Sequence, residues 1–125
     1  MAIRLLIIEA EDRFRKNLYL RLKAEGFRVD KVGPADDVPK VVAEEHIDVV
    51  LLGVDGLGKK GLTLIEPIKA SRAKTEVIII CDSNQMDLSI AGMERGAFDD
   101  FLVPLNVDLL AKRIREAVTG KAAKN

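Results

Sequence analysis

Three stretches of this chain, "IRLLII" at 3–8, "DVVLL" at 48–52 and "EVIII" at 76–80, are apolar without alternation. Successive side chains of a strand point to opposite faces, so a strand with one wet face alternates apolar and polar residues. Runs that do not alternate are expected of strands covered on both faces, which is the condition of a parallel sheet between helical layers. Two weaker runs join them. "FLV" at 101–103 reads as a further strand, and "FRVDKV" at 27–32, which alternates behind Gly26, reads as a strand with a more exposed face.

Helical patterns separate these runs. Phe14, Leu18 and Leu22 recur at every fourth residue and form one apolar stripe, with Arg13, Arg15, Lys16, Arg21 and Lys23 elsewhere on the helix and Gly26 as its stop. A second helix is expected over 35–45, with Pro39 near its start. A third spans 62–71, where Pro67 marks a kink or break. A fourth covers 86–95 and ends at Gly96. The fifth begins with Asn106 or Asp108 as N-cap and carries Leu110, Ile114 and Ala117 on one face.

Five alternations of strand and helix, joined by right-handed crossovers, predict an α/β fold: a doubly wound, five-stranded parallel sheet in a three-layer sandwich. The flavodoxin-like strand order 2-1-3-4-5 suits this length and places a functional pocket over the ends of strands one, three and four. Residues 1–120 are expected to form one domain, with 121–125 as a tail or the start of a linker.

At 125 residues the chain is long enough for a core of its own. Lysine plus arginine balances aspartate plus glutamate, 20 against 20, so no overall field draws it to nucleic acid or to a membrane. Its apolar runs are too short for a signal peptide or a membrane span. The single cysteine, Cys81, excludes an internal disulfide and suits a reducing cytoplasm, the expected location.

In order and spacing, "LLIIEAEDRFRKNLYLRLKAEGFRV", "IDVVLLGVDGLGKKGLTLI" and "TEVIIICDSNQMDLSIAGMERGAFDDFLVPL" resemble the receiver domains of bacterial two-component response regulators, over nearly the whole chain. The resemblance implies an aspartate at the end of the third strand that takes a phosphoryl group from a histidine kinase. It implies two acidic residues after the first strand that help hold magnesium. A serine or threonine after the fourth strand and a lysine after the fifth would hold the phosphoryl oxygens. A carboxylate forms an acyl phosphate, the metal and the lysine neutralise charge on the transferring group, and the hydroxyl donates to it.

Each of those positions is altered here. The acceptor position is Gly53. The acidic pair reads Glu9 and Ala10, and the hydroxyl position is Cys81. The lysine position is Val103 in an ungapped alignment running from Gly96–Ala97 to Pro104; a gapped alignment deletes the lysine altogether. Four losses in four segments describe a degenerate, or pseudo-, receiver, without catalysis and without a cofactor or metal.

The surviving acids Glu9, Asp55 and Asp82 admit two readings: a residual cation site, or solvated loop residues and helix caps. Cys81 reads as a redox site or, more simply, as a small packing residue. His46 stands alone and reads as a surface residue. "GLGKKG" at 56–61 lacks the spacing of a phosphate-binding loop. In receivers the face of the fourth helix, fifth strand and fifth helix binds partners. Met86, Leu88, Met93, Leu105 and Leu109 are its candidate apolar residues here, and Asp100 or Phe101 takes the place of its aromatic residue.

The expected function is therefore protein–protein contact in signal transduction, independent of phosphorylation. The alternative is a small-ligand or cation sensor that reuses the emptied pocket above Gly53. A phosphoaccepting regulator with relocated chemistry ranks last. The expected partner is a signalling protein, with a homodimer as an option, no membrane, and nucleic acid only through a separate output domain.

Overall fold

In the computed structural model, which describes residues 2–32 and 36–120, five strands pair in parallel: β1 (Arg4–Ile8), β2 (Arg28–Lys31), β3 (Val49–Gly53), β4 (Glu76–Cys81) and β5 (Asp99–Leu102). Their order is β2-β1-β3-β4-β5, as expected from the alternation of elements. The register sets Ile8 beside Leu52, Gly53 beside Ile80 and Cys81 beside Leu102. The central strand β3 is buried at every residue, which is why its sequence does not alternate.

The helices are α1 (Asp12–Ala24), α2 (Val38–Glu44), α3 (Lys59–Leu62), α4 (Ile65–Ser71), α5 (Met86–Glu94) and α6 (Val107–Thr119). Two apolar layers result. Leu5, Ile7, Leu51 and Ile78 of the sheet pack with Leu18 and Leu22 of α1 and Leu110 and Ile114 of α6. On the other face Leu6, Val50, Leu52 and Ile79 pack with Val42, Ile65, Ile68 and Leu88 of α2, α4 and α5. Full burial of side chains this size, at about 1.5–3 kcal/mol each, holds the three layers together.

Helix boundaries follow local chemistry. The Glu11 carboxylate caps α1 by accepting from the Phe14 N–H at 2.7 Å. Asn106, rather than Asp108, caps α6 by accepting from the Leu109 N–H at 3.1 Å. Gly26 and Gly96, at φ +99° and +109°, turn the chain just past α1 and α5, a conformation that costs other residues a steric clash.

Three expectations need correction. The third helix is two helices, and its break falls at Thr63 and Leu64, not at Pro67. Pro67 sits in the first turn of α4, where an N–H has no intrahelical acceptor to lose. The start of α2 is at Val38, with Asp37 as cap and Pro39 in its first turn; Ala35 lies outside the described residues, as do 121–125. The last strand starts at Asp99 rather than at Phe101, because both leading aspartates find partners: Asp99 pairs with Arg113, and Asp100 accepts from Ser89. Among the described residues no helix is long and apolar enough to cross a membrane.

Candidate functional site

The carboxyl ends of β1, β3, β4 and β5 bring together Glu9 and Ala10, Gly53 to Gly56, Cys81 and Asp82, and Val103 to Leu105. Open parallel sheets bind their ligands at this edge.

The space above Gly53 is occupied. A β-carbon at position 53 would collide with the Oε1 of Glu9 and lie 2.9 Å from its Cδ. Glu9 is bent over the strand end by its own neighbours: Oε2 accepts the Glu11 N–H at 3.0 Å, and Arg15 Nη1 donates to the Glu9 carbonyl at 2.8 Å. Burial pushes the Glu9 carboxyl above its ordinary pKa; the Glu11 hydrogen bond opposes this, and the charge of Asp55 adds to it. The room expected above Gly53 for a ligand is thus not there.

Ala10 is exposed and brings a methyl group so close to the next loop that a β-carbon on Gly56 would lie 2.7 Å from it. Val103 is half-buried, and its amide donates to the Cys81 carbonyl at 3.0 Å. Cys81 is the small packing residue of the two readings. Its side chain is fully buried with Leu52, Val54, Leu62 and Leu88, and burial pushes the thiol pKa up, away from the thiolate that redox chemistry uses.

The remaining acids are engaged with backbone donors. Asp55 Oδ1 accepts the Asp82 N–H at 3.0 Å, and Asp82 Oδ1 accepts the Asn84 N–H at 3.2 Å as the cap of the short 3-10 turn Ser83–Gln85. Among the described residues no three of His, Cys, Asp and Glu come together in a group able to hold a metal ion. Glu9, Asp55 and Asp82 are therefore not assembled as a cation site. Magnesium, which the fold family implies, does not fit this donor set: one acid is an alanine, and the other lies folded over Gly53.

The open volume lies beside this point. A cleft of about 710 Å³ runs between α1 and the loop from β5 to α6. Its walls are Ala10, Phe14 and Leu18 on one side and Val103, Pro104, Leu105 and Val107 on the other. Glu9, Glu11 and Asp55 stand at one end, and Asn17 and Arg21 lie along α1. Of the residues at the strand ends, Glu9, Ala10, Asp55 and Val103 line it, whereas Gly53, Cys81 and Asp82 do not. Ala10 and Val103 both face this cleft.

On the face of α5, β5 and α6, Met86 and Met93 of α5 and Leu109 of α6 are exposed, as expected; Leu105 is half-buried, and Leu88 is buried in the core. Ile90 and Leu102 are exposed as well and went unread in the sequence. The signal for Ile90 was present, because Met86, Ile90 and Met93 form an i, i+4, i+7 stripe. His46 is exposed at the end of α2. Adjacent strand residues face opposite ways, and of the two candidates for the aromatic position it is Asp100 that faces α5, at 2.5 Å from Ser89 Oγ. Phe101 packs instead toward the α1 and α6 layer.

Comparison with known proteins gives a consistent family. The response regulator receiver domain model matches residues 5–115. The two-component response regulator PhoP of Pseudomonas aeruginosa is 28% identical over 112 residues, which cover 90% of this chain and 50% of PhoP. The chain spans about half the length of the curated relatives it matches. Among solved structures, a receiver domain protein from Clostridium thermocellum aligns with a TM-score of 0.83 at 24% identity, covering 95% of this chain and 96% of that one. A CheY-like receiver from Methanospirillum hungatei aligns over 100% of both chains with a TM-score of 0.83 at 18% identity. At these identities the two structures speak for the fold.

Proposed function

The chain belongs to the response regulator receiver domain family, and from that premise we propose that it signals by protein contact without taking up a phosphoryl group. The observation that carries this reading is the carboxylate of Glu9 in the space of the missing side chain at Gly53. A phosphoryl group needs a nucleophile held in line, a counter-charge and room; Gly53 supplies no nucleophile of its own, and the Glu9 side chain fills the room at the end of β3.

The other altered positions agree. Ala10 and Val103 supply no charge, and Cys81 is sealed in the core with a raised thiol pKa. The face of α5, β5 and α6 is then held by the protein's own bonds. The Ser89–Asp100 hydrogen bond joins α5 to β5. Met86, Ile90 and Met93, with Leu102 and Leu109, give this face the apolar character that a protein partner covers.

The partner in this reading is a signalling protein, or a second copy of the chain, in the cytoplasm, and the domain performs no catalysis. Nucleic acid enters only through a separate output domain. The greater length of the curated relatives leaves room for one in such proteins.

The test is an amide NMR titration with magnesium and then beryllofluoride, the acyl-phosphate mimic, with acetyl phosphate and intact mass in parallel. The reading expects no saturable response around Gly53, Cys81 and Val103, and no added phosphoryl mass. A magnesium-dependent beryllofluoride response at those residues would overturn it.

A further inference from the structure

Beyond protein contact, we propose that the cleft between α1 and the β5–α6 loop binds a small organic monocation, an ammonium on an apolar body, with its charge at Glu9 and Asp55. The argument starts from what the altered receiver positions became. Ala10 and Val103, where the family's chemistry would place charge, both present hydrocarbon to the same cleft. With Phe14, Leu18, Leu105 and Val107 they make walls suited to an alkyl or aryl group in a volume of about 710 Å³.

The end of the cleft supplies the polar half of the recognition. Glu9 Oε2 and Asp55 Oδ1 each accept a backbone N–H, and among the described residues Asp55 Oδ2 accepts no hydrogen bond; Glu9 Oε1 is folded over Gly53, so Glu9 brings its charge to the cleft rather than an open acceptor. The charge of Asp55 acts on Glu9, and two neighbouring carboxylates repel one another until a cation stands beside them. A divalent ion finds too few ligands here. An ammonium is satisfied by fewer, because it needs only acceptors for its N–H donors.

The far end fixes the ligand's polarity. Arg21 lies two to three turns along α1 from Glu11, roughly 15 Å at about 1.5 Å per residue. Among the described residues its guanidinium makes no hydrogen bond or ion pair. That charge repels a second ammonium and so disfavours diamines. A single ammonium with a body of six to nine heavy atoms would stop short of it.

The experiment is an amide NMR titration of the 125-residue chain with phenethylamine, 2-phenylethanol and 3-phenylpropionate, which share the aryl body and differ in charge. Fragments of this size bind at roughly millimolar strength. The proposal expects saturable shifts at Ala10, Phe14, Leu105 and Val107 with the amine, at least roughly tenfold tighter than with the alcohol, the margin of a charged hydrogen bond. Glu9→Gln and Asp55→Asn should each shrink that margin. Val103→Lys, which leaves both carboxylates in place and sets a cation in the cleft, should abolish amine binding. Equal binding of amine and alcohol, tighter binding of the carboxylate, shifts outside the cleft, or no saturation by roughly 10 mM would each overturn the proposal. None of these outcomes bears on phosphoryl uptake, which beryllofluoride tests separately.

Discussion

The Oε1 of Glu9 stands where the β-carbon of any larger residue at position 53 would be. Gly53 has no left-handed φ, so its backbone does not require glycine; the neighbouring carboxylate does. The atom that must give way is the free end of a flexible side chain. Gly53→Ala should therefore fold, at the low end of the overpacking penalty, about 1 kcal/mol. The same change should turn the Glu9 carboxyl out to water. Its pKa, followed by carboxyl carbon NMR, should then fall toward the ordinary glutamate value of 4.5. An unmoved titration would mean that Glu9 does not fill this space in solution.

The same burial gives a pH dependence of defined sign. The native state holds Glu9 above its ordinary 4.5, so it binds that proton more tightly than the unfolded chain does. This contribution to stability is fully present below the unfolded value and is lost as pH rises through the native one. Glu9→Gln keeps an acceptor for the Glu11 N–H and removes the charge. It should raise the urea midpoint at about pH 7, and the gain should vanish by about pH 4. A gain of equal size at both pH values would point to packing instead.

Cys81 is 0% exposed at the end of β4, and burial raises its thiol pKa. Thiolate, not thiol, reacts with alkylating and disulfide reagents. Native protein should leave a disulfide reagent such as DTNB unreacted until the chain opens, with full reaction in denaturant. Fast labelling of folded protein would instead restore the redox reading of this residue.

The sheet was legible because burial on both faces writes itself as unbroken apolar runs, and Leu51, Leu52 and Ile78 to Ile80 are all fully or almost fully buried. Gly53, Ala10, Cys81 and Val103 could be singled out because the resemblance to receivers sets its site positions in chain order. The placing of Glu9 over Gly53 was not legible, because it depends on a side-chain rotamer set by the Glu11 N–H across a turn. The start of β5 was hidden for a related reason: Asp99 and Asp100 read as polar, and it takes their partners on the flanking helices, Arg113 of α6 and Ser89 of α5, to settle them in the sheet. The cleft, too, arises from α1 and the β5–α6 loop, which are distant in sequence.

The bond between Ser89 and Asp100 yields a final test, of how the α5–β5 face is held. Ser89 is 2% exposed and its hydroxyl lies 2.5 Å from the half-buried Asp100 carboxylate. Ser89→Ala removes the donor and leaves a partly desolvated charge, which should cost about 1–2 kcal/mol after allowance for the water that still reaches Asp100. Asp100→Asn retains an acceptor and should cost less. Adding Asp100→Ala to Ser89→Ala should cost less than the sum of the two single changes, because the stranded charge goes with it. Hydrogen exchange adds a functional readout: protection in β5 and the start of α5 should fall in Ser89→Ala, with or without magnesium. Additive energies would show that the bond contributes nothing. A magnesium-dependent change in protection would show that a ligand at the strand ends still governs this face.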